Sequence, residues 1–149
     1  MMSIRLGRPE EAAELTELVM RSKAHWGYPA EFLERVRPEL TLHPEQVVPH
    51  RTLVAEVEGR AAGLATVVGE PDHGELDLLF VDPWAMGRGV GRDLLLEAAE
   101  RARAEGFTRL DIESDPRAET FYLHLGAVRV GESVSRSSGR ALPLLRLAL

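Results

Sequence analysis

The stretch "MGRGVGRD", Met86 to Asp93, places glycine at positions 87, 89 and 91, directly ahead of the helix-forming run "LLLEAAERARAEG". Glycine loses more backbone freedom on folding than any other residue, so such a cluster marks a place where bare backbone is needed. A strand, a glycine-rich turn and a helix start together make an anion site. The first amides of the helix lack intrahelical acceptors, the helix dipole favours negative charge, and no side chain holds a phosphate away. Two familiar phosphate loops do not fit. A P-loop ends in Gly-Lys-Ser/Thr, whereas Gly91 is followed by Arg92 and Asp93. A dinucleotide fingerprint spells G-x-G-x-x-G within a βαβ unit, whereas this run spells G-x-G-x-G and follows a strand late in the chain. Just upstream, Glu75 and Asp77 stand two apart in "GELDLLFVDP". Simple alternation puts both on one face of a strand, with Leu79 and Val81 next along it.

Around these residues the pattern predicts a short first strand at "SIRLGR" and a helix over "RPEEAAELTELVMRSKAH", with Leu15, Leu18 and Val19 on one face. A second helix, "YPAEFLERVRPEL", is entered through Pro29 and ended or bent near Pro38. A hairpin follows, Leu53 to Val57 and Ala62 to Val68 about a turn at Glu58-Gly59-Arg60. The strand "GELDLLFVDP" leads through the glycine loop to the helix "RDLLLEAAERARAEG". Then come a strand "TRLDIES", a short helix "RAETFYLHLG", a strand "AVRVGES", a polar loop "SRSSGR" and a last apolar strand "ALPLLRLAL". The order βαα, ββ, β, α, β, α, β, β describes an α+β (mixed α/β) fold.

The 149 residues suffice for one domain with a full core, and 44% apolar with 28% charged residues is the profile of an ordinary globular protein. No apolar run approaches the length of a membrane span, and the N-terminus lacks a signal core. A formal net charge of −6 argues against a general nucleic-acid binder. The absence of cysteine excludes disulfides, thiolate metal sites and a cysteine nucleophile, and fits a cytoplasmic protein. His25, His43, His50, His73 and His124 show no metal-ligand spacing, so no metal is expected. Of the 18 basic residues, Lys23 alone is a lysine.

From Glu75 to Arg103 the chain resembles the GNAT superfamily of acyl-CoA-dependent N-acetyltransferases. "LFVDPWAMGRGVGRDLLLEAA" is similar to its acyl-CoA motif, a strand with Val-x-Pro followed by Q/R-x-x-G-x-G/A at a helix start. Met86 stands at the Gln/Arg position, a departure from the pattern, and Gly87, Arg88, Gly89, Val90 and Gly91 follow it. "LDIESDPRAETFYLHLGAVRVGE" resembles the C-terminal motif of the family. Ala118, Phe121, Tyr122, Gly126 and Ala127 match that motif, and Asp115 stands where Asn is more usual. Both blocks occur in the family's order, and the likeness covers residues 51 to 131 well.

The resemblance implies a GNAT-type central mixed sheet of about six or seven strands flanked by about four helices. It also implies acetyl-CoA as cosubstrate. Its pyrophosphate would lie on the amides of Arg88 to Arg92, with Phe80, Val81, Met86, the loop glycines and Asp115 as further cofactor contacts. The main chain of Val81 would hold the pantetheine arm and help polarise the thioester carbonyl. Tyr122 stands where the family places a general acid near the CoA sulfur, and a phenol suits that task at neutral pH; a core tyrosine beside Phe121 is the other reading. Glu75 and Asp77 each match a place where members carry a base, the alternatives being a water between carboxylate and amine or a plain pair of solvated acids. In "KAHWGYP", His25, Trp26 and Tyr28 fall between the first two helices, a region that borders the acceptor pocket in the family; a core plug is the other reading of Trp26. The implied acceptor is a small-molecule or peptide amine, attacked directly in a ternary complex, and the implied assembly a homodimer. A non-catalytic sensor or scaffold that only holds acyl-CoA is the alternative.

Overall fold

The computed structural model describes residues 1–149 and wraps them around one seven-stranded sheet. Strands β1 (Met2–Leu6), β2 (Leu53–Val57), β3 (Arg60–Glu70) and β4 (His73–Val81) are neighbours and antiparallel. Strand β5 (Arg109–Glu113) runs parallel to β4, and β7 (Ala141–Ala148) lies between β5 and the edge strand β6 (Val128–Val134). Helices α1 (Ala12–Ala24) and α2 (Ala30–Leu40) lie between β1 and β2 in the chain. Helix α3 (Val90–Glu105) makes the crossover from β4 to β5, and α4 (Glu119–His124) precedes β6. Seven strands and four helices in a mixed sheet are the predicted α+β architecture.

Apolar side chains form two clusters, one with each helix layer. Leu94, Leu95, Ala98 and Ala102 of α3 pack with Leu76, Leu110, Ile112, Leu145 and Tyr122. Leu15, Leu18 and Val19 of α1 pack with Val54, Leu64 and Leu78. Each fully buried Leu, Val or Ile contributes about 1.5–3 kcal/mol relative to exposure, so these clusters hold both layers on the sheet.

The boundaries differ from the sequence reading where local chemistry was finer than the pattern. The β2–β3 turn is Glu58-Gly59 alone, both with positive φ (53° and 75°), so Arg60 already belongs to β3. This is the two-residue geometry that matches strand twist. Pro38 does not end α2, which runs on to Leu40; so near the C-terminus a proline removes one hydrogen bond without stopping the last turn. Helix α3 starts at Val90 rather than Arg92, with Gly89 as its N-cap at φ 78°, ψ 11°. The loop glycines thus reach into the first helical turn.

Strand β4 carries the two irregularities that shape the molecule. Thr66 pairs with Leu78 and Val67 with Leu76, which leaves Asp77 as an extra residue in a bulge. The buried Thr66 hydroxyl accepts the Leu78 amide at 2.9 Å and pins the bulge. Alternation breaks there: Leu76, Leu79 and Val81 pack with the α3 cluster, whereas Leu78 and Phe80 pack with the α1 cluster. The simple expectation that Leu79 and Val81 share a face with Glu75 and Asp77 is therefore corrected. Second, β4 pairs with β5 only at His73–Glu75 against Arg109–Asp111, and beyond that the strands part.

Candidate active site

Where β4 and β5 part, a cleft of about 900 Å³ opens, lined by β4, β5, the ends of α1 and α2, the starts of α3 and α4, and the β6–β7 loop. The Asp82 amide bonds Ala62 O and the Leu78 amide bonds Thr66 Oγ1, so both point toward β3. Strand amides alternate in direction, so those of Leu79 and Val81 point toward the parted β5 side, where no ladder receives them. An open strand edge inside the molecule can accept an extended, amide-bearing ligand.

At the end of β4 the glycine loop supplies a second set of free donors. The Met86 amide bonds Pro83 O and the Asp93 amide bonds Gly89 O, but none from Gly87 through Arg92 has an acceptor in the protein. The left-handed conformations of Gly87 and Gly89 make that run of bare amides at the start of α3. Gly91 faces the cleft beside Phe121 and Val81, where an added Cβ would lie 3.4 Å from each. Phe80, Val81 and the Met86 side chain line the same cavity.

Tyr122 is buried, edge-on to Phe121 at 5.1 Å between ring centroids, and lines the cleft. Its hydroxyl has no hydrogen-bond partner in the protein and is not sealed from solvent. Burial, and secondarily the charge of Asp115, push the phenol above its ordinary value, so it is a protonated donor across the physiological range.

Glu75 and Asp77 line the cleft too, open to solvent yet flanked by protein. Burial pushes the Glu75 carboxyl up, helped by the charges of Asp77, Glu113 and Asp111. Burial also raises Asp77, with Glu113 acting in the same sense and His50 opposing it. A carboxylate with a raised pKa is a better proton acceptor near neutrality.

Asp115 lies in the same cavity, but its carboxylate is engaged by the protein. Oδ2 accepts from Lys23 Nζ at 2.6 Å, the Tyr28 hydroxyl at 2.7 Å and Arg140 at 3.3 Å, while Oδ1 accepts the Arg117 amide at 2.9 Å. Burial raises this carboxyl, but the Lys23 ammonium, the Arg117 amide and the Tyr28 hydroxyl outweigh it and hold the pKa at about 2. Trp26 lines the cleft with 42% exposure. Tyr28 does not line it; it stacks on Phe32 and holds Asp115 and Arg140. His25 is exposed, stands edge-on to Trp26 and lies outside the cleft. Lys23, Glu39, Glu113 and Arg117 also line it, and sequence reasoning had not selected them as site residues. For Lys23 a signal was present, since it is the sole lysine of the chain.

The sequence model described as Acetyltransferase (GNAT) family matches residues 13–127. The peptidyl-lysine N-acetyltransferase YjaB of Escherichia coli K12 is 33% identical over 149 residues, spanning 99% of this chain and 96% of that protein. The crystal structure of a GCN5-related N-acetyltransferase from Rhodopseudomonas palustris superimposes with a TM-score of 0.83 at 25% identity, covering 99% of this chain and 95% of that one. The PaiA N-acetyltransferase of Thermoplasma acidophilum, solved with coenzyme A, shares the fold at a TM-score of 0.78 and 19% identity, over 100% and 99% of the two chains. Family, fold and cleft agree: this chain belongs to the GNAT acetyltransferases and is an N-acetyltransferase with acetyl-CoA as cosubstrate.

Proposed function

We propose that the acceptor is the ε-amine of a lysine in a peptide or protein, attacked directly in a ternary complex, with Tyr122 as general acid and Asp77 or Glu75 as the group that takes the ammonium proton. The observation that carries this reading is that Tyr122, Glu75, Asp77 and Gly91, the last within the free-amide run, all line one cleft. The residues fit acetyl-CoA. The amides from Gly87 to Arg92 suit its pyrophosphate, those of Leu79 and Val81 its amide-bearing arm, and Phe80 and Met86 the walls around it. The carboxylate removes the ammonium proton, the amine nitrogen bonds the acetyl carbon as the C–S bond breaks, the Tyr122 hydroxyl protonates the departing thiolate, and the surplus proton on the new amide nitrogen returns to the Tyr122 phenolate.

Glu75, Asp77 and Glu113 favour a cationic acceptor, and the name of the Escherichia coli relative points to lysine. Trp26 is the acceptor contact on the α1–α2 side, whereas Tyr28 acts through Asp115 and Arg140, and no role falls to His25. A module that holds acyl-CoA without turnover is not favoured, because it has no use for a free phenol and two raised carboxylates lining one cleft. No helix is long and apolar enough to cross a membrane. The lack of cysteine supports a cytoplasmic enzyme, and the open edge of β6, with Val128, Val130 and Val134 exposed, supports a homodimer.

The test is calorimetric titration with acetyl-CoA, CoA and ATP, followed by turnover on lysine peptides for the wild type and Tyr122→Phe. Acetyl-CoA and CoA are expected to bind and ATP not. Tyr122→Phe should lower kcat about 100-fold or more with acetyl-CoA affinity unchanged. Unchanged turnover removes Tyr122 from the mechanism.

A further inference from the structure

We propose that the acceptor carries a carboxylate close to its reacting amine, and that Arg117, Arg136 and Arg140 at the rim of the cleft recognise it; this rests on the acetyl-transfer reading above. The cleft is electrically divided. Glu75, Asp77 and Glu113, on β4 and β5, make one side acidic. The side formed by the end of α1, the approach to α4 and the β6–β7 loop carries Lys23, Arg117, Arg136 and Arg140.

These four cations have one carboxylate among them. Lys23 and Arg140 share Asp115, and the Arg117 guanidinium bonds only the main-chain oxygen of Trp26. Arg136 has neither an ion pair nor a side-chain hydrogen bond within the protein. The acid nearest that loop, Glu39, is occupied by the Ser137 amide at 2.9 Å and the Ser135 hydroxyl at 3.4 Å. The crowding is close as well: Lys23, Arg117 and Arg140 stand 5.1, 4.9 and 5.0 Å from the centre of the one Tyr28 ring. Like charges gathered so tightly repel, and the ring faces and Asp115 offset that only in part. A concentration of positive charge in a chain of net charge −6 runs against the overall balance. It is an anion-recognising surface facing an ammonium-recognising one across a single cavity.

The matching acceptor has both charges: its amine lies toward Asp77 and Glu75, and its carboxylate toward the rim. That carboxylate has two sources, the α-carboxylate of a free amino acid or an acidic side chain beside the acceptor lysine of a peptide. Two matched pairs separate them. Free lysine is compared with lysinamide, and a Glu-Lys peptide with its Gln-Lys counterpart, following CoA release in the wild type and in Arg117→Gln/Arg136→Gln. In at least one pair the carboxylate member should show a KM about fivefold lower, the upper end for a partly exposed ion pair. In the double variant that ratio should fall toward one. Equal KM values within both pairs, or faster turnover of the neutral members, overturn the inference while leaving acetyl transfer intact. A preference that survives the double variant overturns the assignment to Arg117 and Arg136. If acetyl-CoA binds but no amine is acetylated, the transfer reading and this inference fall together.

Discussion

Lys23 and Asp115 come from positions 92 residues apart, and their ion pair lends itself to a quantitative test. Their side chains are 9% and 13% exposed, so salt screens them little. An aspartate lowered from 3.8 to about 2 gains about 2 kcal/mol at neutral pH from its native partners. The Lys23 ammonium is the foremost of them. Lys23→Met leaves Asp115 with Tyr28, Arg140 and the Arg117 amide, so it should cost about 2 kcal/mol rather than the ~3–5 of a fully orphaned charge. That corresponds to about 4–8 °C in Tm for a chain of this size. Asp115→Asn, which strands a buried ammonium, should cost a similar amount, whereas the combined variant should cost less than the sum by about 2 kcal/mol. The sign with pH follows from a lowered folded-state value. The contribution is fully present above the unfolded aspartate value and is lost as pH falls toward about 2, so the penalty of Lys23→Met should shrink between pH 5 and pH 3. Urea denaturation of the four proteins at both pH values checks this. Additive single costs, or a penalty independent of pH, would rule out a coupled, charge-dependent pair.

Two further perturbations bear on the chemistry. Because Glu75 and Asp77 are both raised, turnover should fall on acidification through a pH above the ordinary carboxylate range. Asp77→Asn then discriminates in a pH–rate profile: it abolishes turnover if Asp77 is the base, but if Glu75 is the base it keeps turnover and moves the acid limb downward, since the charge of Asp77 helps hold Glu75 up. Gly89→Ala adds a Cβ with no atom within 4 Å, but at φ 78°, so it should cost about 1 kcal/mol in stability through the backbone alone. The same change should weaken acetyl-CoA by about tenfold as the amides turn away, which calorimetry would read; unchanged affinity would show that the loop conformation does not matter to the ligand.

What the sequence made legible was local. Glu58-Gly59 announced its turn, the glycines at 87, 89 and 91 their loop, and the spacing of Leu94, Leu95, Ala98 and Ala102 a buried helical face, because each signal is contained within a few residues. The bulge at Asp77 was not legible, since no glycine marks it and its stabilising hydroxyl, Thr66, lies on the neighbouring strand. The role of Asp115 was hidden for a similar reason. Its partners sit on α1, on the α1–α2 loop and at the approach to β7, and only the completed topology brings them together. Glu113 was passed over because nothing in "TRLDIES" reveals that β5 ends beside a gap rather than a ladder.

The brief pairing of β4 with β5 has a mechanical consequence. The sheet is in effect two panels, β1 to β4 and β5 to β7, and the only ladder between them is at His73–Glu75 with Arg109–Asp111. The lower end acts as a seam and the upper end as a gape, and above the seam the panels are joined by the apolar cluster under α3 rather than by a ladder. On the proposed reading, acetyl-CoA laid along Leu79 and Val81 would bridge the panels where the ladder is missing. Binding there would then add to the stability of the fold: at a ligand concentration 100 times Kd the gain is about 2.7 kcal/mol.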